Sequence, residues 1–160
     1  IHERLVGSEM CIRDSRLRLS PEVGRSELHE GIELRLALPL NAEASQIRDA
    51  VQAWLMREGR ALFEARLNFF APQMGVQWRK LSLSNAGSRW GSARIDGAIR
   101  LNWRLIHLKP DAIDYVVVHE LAHLREMNHS PAFWKVVAEI LPDHVERRKA
   151  LQKENLANWA

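Results

Sequence analysis

Three histidines and one glutamate have a spacing that suits metal chemistry. Residues 119–123 read HELAH, and His129 follows six residues later, which gives the pattern H-E-x-x-H-x5-H. On a helix, His119 and His123 share a face and can bind one metal ion together. Zinc prefers such imidazole nitrogens, and three protein ligands leave a fourth position open for water. Glu120 lies about 100° round the helix, where its carboxylate can reach that water. The pattern predicts metal-assisted hydrolysis, with a peptide bond as the favoured substrate.

The residues before this motif predict the helix that must carry it. From Pro110 the chain reads PDAIDYVVVHELAHLREMN, and its apolar residues recur at helical spacing through Leu124. Pro110 and Asp111 suit the first turn of a helix. The run of three valines at 116–118 would by itself favour a strand, because β-branched residues are mediocre helix formers. The helical phase on both sides of it favours a buried helix instead.

His129 can join the other two histidines only if the helix ends before it. Ten residues after His119, it would point about 80° away from the ligand face of a continuous helix. Asn128 can take a left-handed cap, and Ser130-Pro131 reads as the N-cap and first residue of a new helix. The histidine spacing also matches the elongated metzincin motif H-E-x-x-H-x-x-G-x-x-H, although Glu126 stands at the glycine position.

Other interpretations of the histidines stay open at this point. They could be core residues hydrogen-bonded to carbonyls, or part of a structural zinc site. Structural sites usually close with four ligands and favour cysteine, and no fourth ligand is evident nearby. Glu139 and His144 are alternatives to His129 as the third ligand.

Composition predicts one ordinary globular domain. The chain has 160 residues, of which 46% are hydrophobic and 27% charged, with a net charge of +3. Its single cysteine fits a reducing compartment, and the absence of a long apolar run predicts no membrane contact, so we expect a cytoplasmic protein. Residues 5–15, LVGSEMCIRDS, resemble a translated sequencing adaptor. We therefore expect 1–15 to be non-native and 16–160 to form the domain.

The remaining patterns predict a mixture of strands and helices. Alternating apolar residues, leucines at 17–19 and Ile32 followed by leucines to 38, indicate strands, and a long helix is expected from Ser45 to about Phe70. Strand signals follow at 80–84, 89–95 and 98–105, the last two joined by the hairpin turn Asp96-Gly97. After the motif helix, further helices are expected at 130–141 and from 143 to about 158.

With the hairpin and the motif helix in view, the chain resembles the YgjP-like metallopeptidases, zincins related to the SprT and WLM domains. The resemblance covers residues 16–159 and is densest in SRWGSARIDGAIRLNWRLI, IDYVVVHELAHL and NHSPAFW. It implies an α+β, zincin-like fold in which a small antiparallel sheet packs on the long helix and the active-site helix, followed by C-terminal helices. It also implies one catalytic zinc bound by His119, His123 and His129, with Glu120 as the general base. Relatives commonly have cysteine at Ala93, which is no ligand here.

The sequence predicts a peptide or protein as substrate and leaves two other functions open. Six basic residues and one acid between positions 79 and 104, with Trp90 and Trp103, could bind nucleic acid in a DNA-associated protease. A catalytically silent zinc adaptor is the second, although it would have no use for Glu120. Oxyanion candidates are Asn102, His107 and Tyr115, and residues 88–93 could pair with an extended substrate. The oligomeric state is not predicted.

Overall fold

The computed structural model describes residues 9–12, 15–29 and 33–154. Along the chain the elements are β1 (Glu9–Ile12), β2 (Ser15–Leu19), β3 (Glu27–His29), β4 (Glu33–Leu36), α1 (Ala44–Met74), β5 (Lys80–Ser84), β6 (Gly91–Ala93), β7 (Ala98–Asn102), α2 (Pro110–Ala122), α3 (Pro131–Ile140) and α4 (His144–Gln152). This order confirms the predicted α+β class. The chain divides into two compact units, residues 1–57 and 58–160, and the division falls within α1.

The first unit contains a mixed four-stranded sheet in the order β1-β2-β4-β3. Its central pair, β2 and β4, runs parallel, with Leu17 opposite Leu34 and Leu19 opposite Leu36. All four leucines are buried, which confirms the two strands predicted from alternation. Ile32 lies outside the described residues. Strand β1 falls in the stretch expected to be non-native, and the domain boundary at Arg16 stays a prediction.

Helix α1 is one turn longer at its C-terminus than the sequence predicted. The amide of Val76 donates to the Ala71 carbonyl and that of Gly75 to the Pro72 carbonyl, which together form a Schellman motif. Gly75 has φ +67°, a conformation that glycine adopts without strain. Pro72 therefore sits in the last turn of the helix and does not end it.

The second unit contains a three-stranded sheet whose central strand is β7. The sheet order is β5-β7-β6, with β5 parallel and β6 antiparallel to β7. The predicted hairpin at Asp96-Gly97 is confirmed. The predicted antiparallel sheet is wrong in one respect. Strand β5 pairs with β7, the second strand of the hairpin, and the two strands run parallel. Alternation along each strand predicts the strands but not their neighbours.

Strand β7 is shorter than predicted because Asn102 ends it. The prediction continued the strand to Leu105. In the structure residues Trp103–His107 form a 3-10 helix, and Asn102 is its fully buried N-cap. The Asn102 carboxamide oxygen accepts from the Arg104 amide, and its nitrogen donates to the carbonyls of Ala86 and Arg89. Such local side-chain bonds compete with strand pairing.

Helix α2 lies at the centre of the second unit and packs against α3, α4, β6 and β7. Its residues Ile113, Val117, Val118 and Leu121 are buried in one hydrophobic core with side chains of α1, β5, β7 and α3. The valine run is therefore helical, as its phase predicted, because packing outweighs intrinsic propensity. The helices predicted after α2 are confirmed as α3 and α4, but α4 ends at Gln152, before the predicted end at about 158. Residues after 154 lie outside the described part.

An ion pair joins the second half of α1 to α2. The Arg66 guanidinium contacts both carboxylate oxygens of Asp114, at 2.7 and 3.0 Å, and both side chains are largely shielded from water. We expect Arg66→Ala to lower the free energy of unfolding by about 1–2 kcal/mol, because bidentate, partly buried ion pairs contribute more to stability than exposed ion pairs do. Arg94→Ala removes the exposed Arg94–Asp96 pair and is the control, with an expected loss of about 0.5 kcal/mol or less. Urea denaturation measures both; equal losses would contradict the prediction.

Candidate metal centre

The end of α2 places the first two histidines of the motif side by side. The helix ends at Ala122, with His123 as its C-cap, which is earlier than the cap predicted at Asn128. Amides 123–125 donate to carbonyls three residues back, so the last turn tightens. His123 keeps αR dihedral angles and stays on the same face as His119. The chain can then turn back towards that face before α3 begins.

Helix α3 begins where the sequence predicted, and its start fixes His129. The Ser130 hydroxyl accepts from the Phe133 amide, and Pro131 occupies the first turn. His129 consequently lies beside His119, with 3.2 Å between their Nε2 atoms. One ligand atom from each of the three histidines lies within 4.8 Å of the other two. Two nitrogens at about 2.0–2.1 Å from a tetrahedral zinc ion would be about 3.3 Å apart, which the His119–His129 pair matches, and three imidazoles are ligands that zinc prefers.

Hydrogen bonds at the far side of two rings orient their Nε2 atoms. His123 Nδ1 lies 3.2 Å from the backbone carbonyl of Glu126, which requires a proton on that nitrogen. His119 Nδ1 lies 3.4 Å from the Tyr115 hydroxyl. A proton on Nδ1 leaves the Nε2 lone pair free for a metal ion, the arrangement that such outer partners commonly enforce. The backbone of Glu126 thus contributes to the site.

Charge and burial keep these rings neutral. Burial, and then the charges of His123 and His129, lower the pKa of His119 to about 3. Burial also lowers the pKa of His123. Because only neutral imidazole binds a metal ion, the environment maintains the required state at neutral pH.

Two aromatic residues of α3 pack on the histidine rings. The Phe133 ring stacks on His123 with centroids 4.6 Å apart, and Trp134 stacks on His129 at 6.0 Å. Sequence reasoning did not identify these contacts. The only signal for them was the block NHSPAFW, whose spacing from the motif cannot show which ring an aromatic residue meets.

Glu120 is buried beside the three histidines. It is 5% exposed, and its Oε1 lies 3.9 Å from His119 Nε2. Its Oε2 has no hydrogen-bond partner in the part of the chain that the structure describes. Burial raises the pKa of Glu120 to about 7, against an opposing effect of the positive charge of Arg89. An unpaired buried carboxylate oxygen is unfavourable for stability, which points to a functional role.

Two cavities meet at His119 and Glu120. The metal-side cavity, about 390 Å³, is lined by the three histidines, Glu120, Arg89, Met127 and residues 91–93 of β6. The α4-side cavity, about 310 Å³, is lined by Trp90, Gly91, Tyr115 and Val116 and by residues of α4 including Arg148. Glu120 therefore faces space on two sides.

Gly91 permits β6 to approach Glu120. A Cβ atom at this position would lie 3.1 Å from Glu120 Cγ and 3.1 Å from the Arg100 carbonyl oxygen. Both contacts are tighter than ordinary van der Waals packing, so a side chain here would displace either strand β7 or the glutamate.

The alternative third ligands are not brought to the histidines. Among the described residues, the cluster able to hold a metal ion consists of His119, His123 and His129, and neither Glu139 nor His144 belongs to it. The His144 ring stacks instead on Trp134, with centroids 5.5 Å apart. Of the three oxyanion candidates, Tyr115 lines the α4-side cavity, whereas Asn102 and His107 line neither cavity.

The two tryptophans proposed to stack on nucleic-acid bases are not exposed as that function requires. Trp103 is 7% exposed, and its indole nitrogen donates to the Asn85 side chain, so its ring faces are not available to a base. Trp90 is partly buried against the core. The basic residues Arg89 and Arg100 are exposed. None of the helices in the described part of the chain combines the length and the hydropathy of a membrane span.

Comparison with known proteins gives one family match. The sequence profile of the YgjP-like, metallopeptidase domain matches residues 2–154. No curated protein matches the chain.

Two solved structures share the fold. The metallopeptidase zymogen abylysin of Pyrococcus abyssi is 23% identical with a TM-score of 0.53, and the match covers 57% of this chain and 92% of abylysin. The metallopeptidase zymogen jannalysin of Methanocaldococcus jannaschii is 17% identical with a TM-score of 0.50, over 57% of this chain and 95% of jannalysin.

Proposed function

Because the chain belongs to the YgjP-like metallopeptidase domain family, we propose that it hydrolyses peptide bonds with one zinc ion held by His119, His123 and His129. The observation that carries this proposal is the meeting, at one cavity, of three imidazoles and a Glu120 carboxylate oxygen that has no hydrogen-bond partner among the described residues. A structural zinc site would have no need of that carboxylate. Zinc also suits imidazole ligands better than the harder divalent ions do.

In this proposal Glu120 is the general base. A zinc ion bound to the three histidines would supply Lewis acidity, lowering the pKa of a bound water and polarising a substrate carbonyl. The Glu120 carboxylate accepts the proton of the attacking water and then delivers it to the leaving amine nitrogen. Its Oε2 is suited to this because no neighbouring donor among the described residues occupies it. Tyr115 and the Glu126 carbonyl hold the two α2 histidines in the required orientation.

The edge of β6 is the proposed binding site for the substrate backbone. Strand β6 is the last strand of its sheet and pairs with β7 on one side. Its residues Gly91, Ser92 and Ala93 line the metal-side cavity together with the histidines and Glu120. Extended peptides commonly add to such an edge through main-chain hydrogen bonds. The small side chains of this strand leave room for a substrate strand to approach, so the proposed substrate is an unstructured or extended segment.

The proposed function is tested by cleavage of an unstructured protein. Chain loaded with one equivalent of zinc is incubated with reduced, unfolded casein, and new termini are identified by mass spectrometry. We expect cleavage that a chelator abolishes and that added zinc restores. A parallel reaction with single-stranded DNA examines the DNA-associated alternative, which predicts a large stimulation. Zinc binding without any cleavage would support the adaptor alternative and contradict the proposal.

Gly91→Ala should reduce activity without removing the metal. The added methyl group would meet Glu120 Cγ at 3.1 Å, and a displacement of a few tenths of an ångström at the general base lowers the rate. We expect a loss of about tenfold in kcat/KM with unchanged zinc content. Gly87→Ala is the matched control, because no atom lies within 4 Å of its added Cβ. Equal activity of the two variants would contradict the proposed close approach.

A further inference from the structure

The α4-side cavity has apolar walls and one cationic group. Trp90, Val116 and Leu151 provide the apolar surface, and His119 and Glu120 lie where this cavity meets the metal-side cavity. The Arg148 guanidinium completes the lining from α4. A cavity of about 310 Å³ next to the reacting centre is large enough for one substrate side chain.

Arg148 differs from its neighbour Arg147 in its partners. Arg147 lies within 4.0 Å of the carboxylates of Asp111 and Asp143. Among the described residues, no carboxylate lies within that distance of Arg148; its guanidinium instead stacks over the Trp134 ring at 5.0 Å. The same indole stacks on His129, so one aromatic ring contacts both the Arg148 cation and a histidine of the site.

The positive charge of Arg148 acts on two residues that line this cavity, Tyr115 and His119. It acts to lower the pKa of both Tyr115 and His119, although burial has the larger effect on each. Glu154 also lines this cavity but is not among the causes of either shift. A substrate group entering beside Glu120 therefore meets the Arg148 guanidinium, which no carboxylate of the described residues pairs.

We propose that Arg148 is a specificity-determining residue that binds a carboxylate of the substrate in the α4-side cavity, next to the scissile bond. This inference rests on the proposed function and adds a substrate class to it. A single guanidinium is matched by one carboxylate, through a charge-assisted and potentially bidentate contact. The carboxylate can belong to an aspartate or glutamate side chain, or to the C-terminus of the peptide.

A binding measurement tests this inference separately from catalysis. Zinc-loaded Glu120→Gln protein is titrated with acetyl-Ala-Ala-Glu-Ala-Ala-amide and with its Gln twin, and tryptophan fluorescence reports binding near Trp90 and Trp134. We expect about tenfold tighter binding of the Glu peptide, as for a charge-assisted contact partly shielded from water. The Gln peptide with a free C-terminus determines whether a chain-end carboxylate binds instead.

Three variants identify the residue responsible. In the Glu120→Gln background, Arg148→Gln should abolish the preference for a carboxylate, and Arg148→Lys should retain most of it. Lys149→Gln removes an exposed charge from the same helix and should leave the preference unchanged. Equal binding of all peptides, or a preference that survives Arg148→Gln, would overturn the inference. Failure of wild-type protein to cleave casein would instead reject the proposed function.

Discussion

Replacing Glu120 by glutamine should lower kcat/KM at least about 100-fold and leave zinc binding intact. General acid–base catalysis by a positioned side chain typically contributes about 10²–10⁴-fold, and glutamine can neither accept nor return the proton. The substitution keeps the shape of the side chain and places no charge in a buried position. We therefore expect the variant to be at least as stable as the wild type, because burial disfavours the charged carboxylate.

Three measurements on the same samples separate catalysis from folding. Casein cleavage gives the activity, elemental analysis gives zinc per chain, and thermal denaturation gives stability. An inactive variant with full zinc content and unchanged or raised Tm supports the proposed role. Turnover close to that of the wild type would contradict it, and loss of zinc would assign Glu120 to metal binding.

Replacing His129 by alanine should weaken zinc binding at least about 100-fold and remove activity with it. A residue that binds the metal directly contributes more to the affinity than a residue that hydrogen-bonds to a ligand. Removing the latter typically weakens metal binding by about 10–100-fold. His129 is exposed and precedes the N-cap of α3, so its loss should leave the fold in place. Competition with a chromophoric zinc chelator measures the affinity, and circular dichroism verifies the fold.

Glu139→Ala and His144→Ala are the matched controls for His129. Both residues could have supplied the third ligand by sequence alone, and the structure leaves both outside the histidine cluster. We expect each variant to keep the affinity of the wild type within about threefold, on the order of 0.6 kcal/mol. Loss of zinc in either control, with zinc retained in His129→Ala, would show that the third ligand is misassigned.

Helices α2 and α3 of the second unit could be predicted from the sequence, because the buried residues of a helix recur at helical spacing and its ends carry capping residues. The apolar phase of residues 110–124 predicted α2 despite its three consecutive valines. Ser130-Pro131 predicted the start of α3 from capping chemistry alone. These features depend on residues close together in sequence, and so local rules suffice for them.

The features that the sequence did not predict depend on contacts between distant residues. Nothing in the alternation of β5 or β7 shows that the two pair in parallel, because each strand only reports which of its faces is buried. Asn102 was predicted to lie within a strand, and its buried position depends on hydrogen bonds to the carbonyls of residues 86 and 89. Sequence spacing selected Asn102 and His107 as oxyanion candidates, although neither lines a cavity of the site.

The same distinction applies within the candidate site. The histidine spacing and the glutamate beside the first histidine were sufficient to propose the metal site and its general base. The aromatic packing of Phe133 and the close approach of Gly91 required the tertiary structure. So did the position of Arg148, which lies 28 residues after Glu120 in the last predicted helix.

A zinc titration of metal-free protein tests most directly whether one bound zinc ion and Glu120 together are required for peptide-bond cleavage. Casein cleavage and bound zinc are measured together as zinc is added, for the wild type and for Glu120→Gln. We expect wild-type activity to rise in proportion to bound zinc and to saturate at one ion per chain, while the variant binds the same amount of zinc without activity. Cleavage by the metal-free chain, or equal cleavage by the zinc-loaded variant, would contradict this expectation.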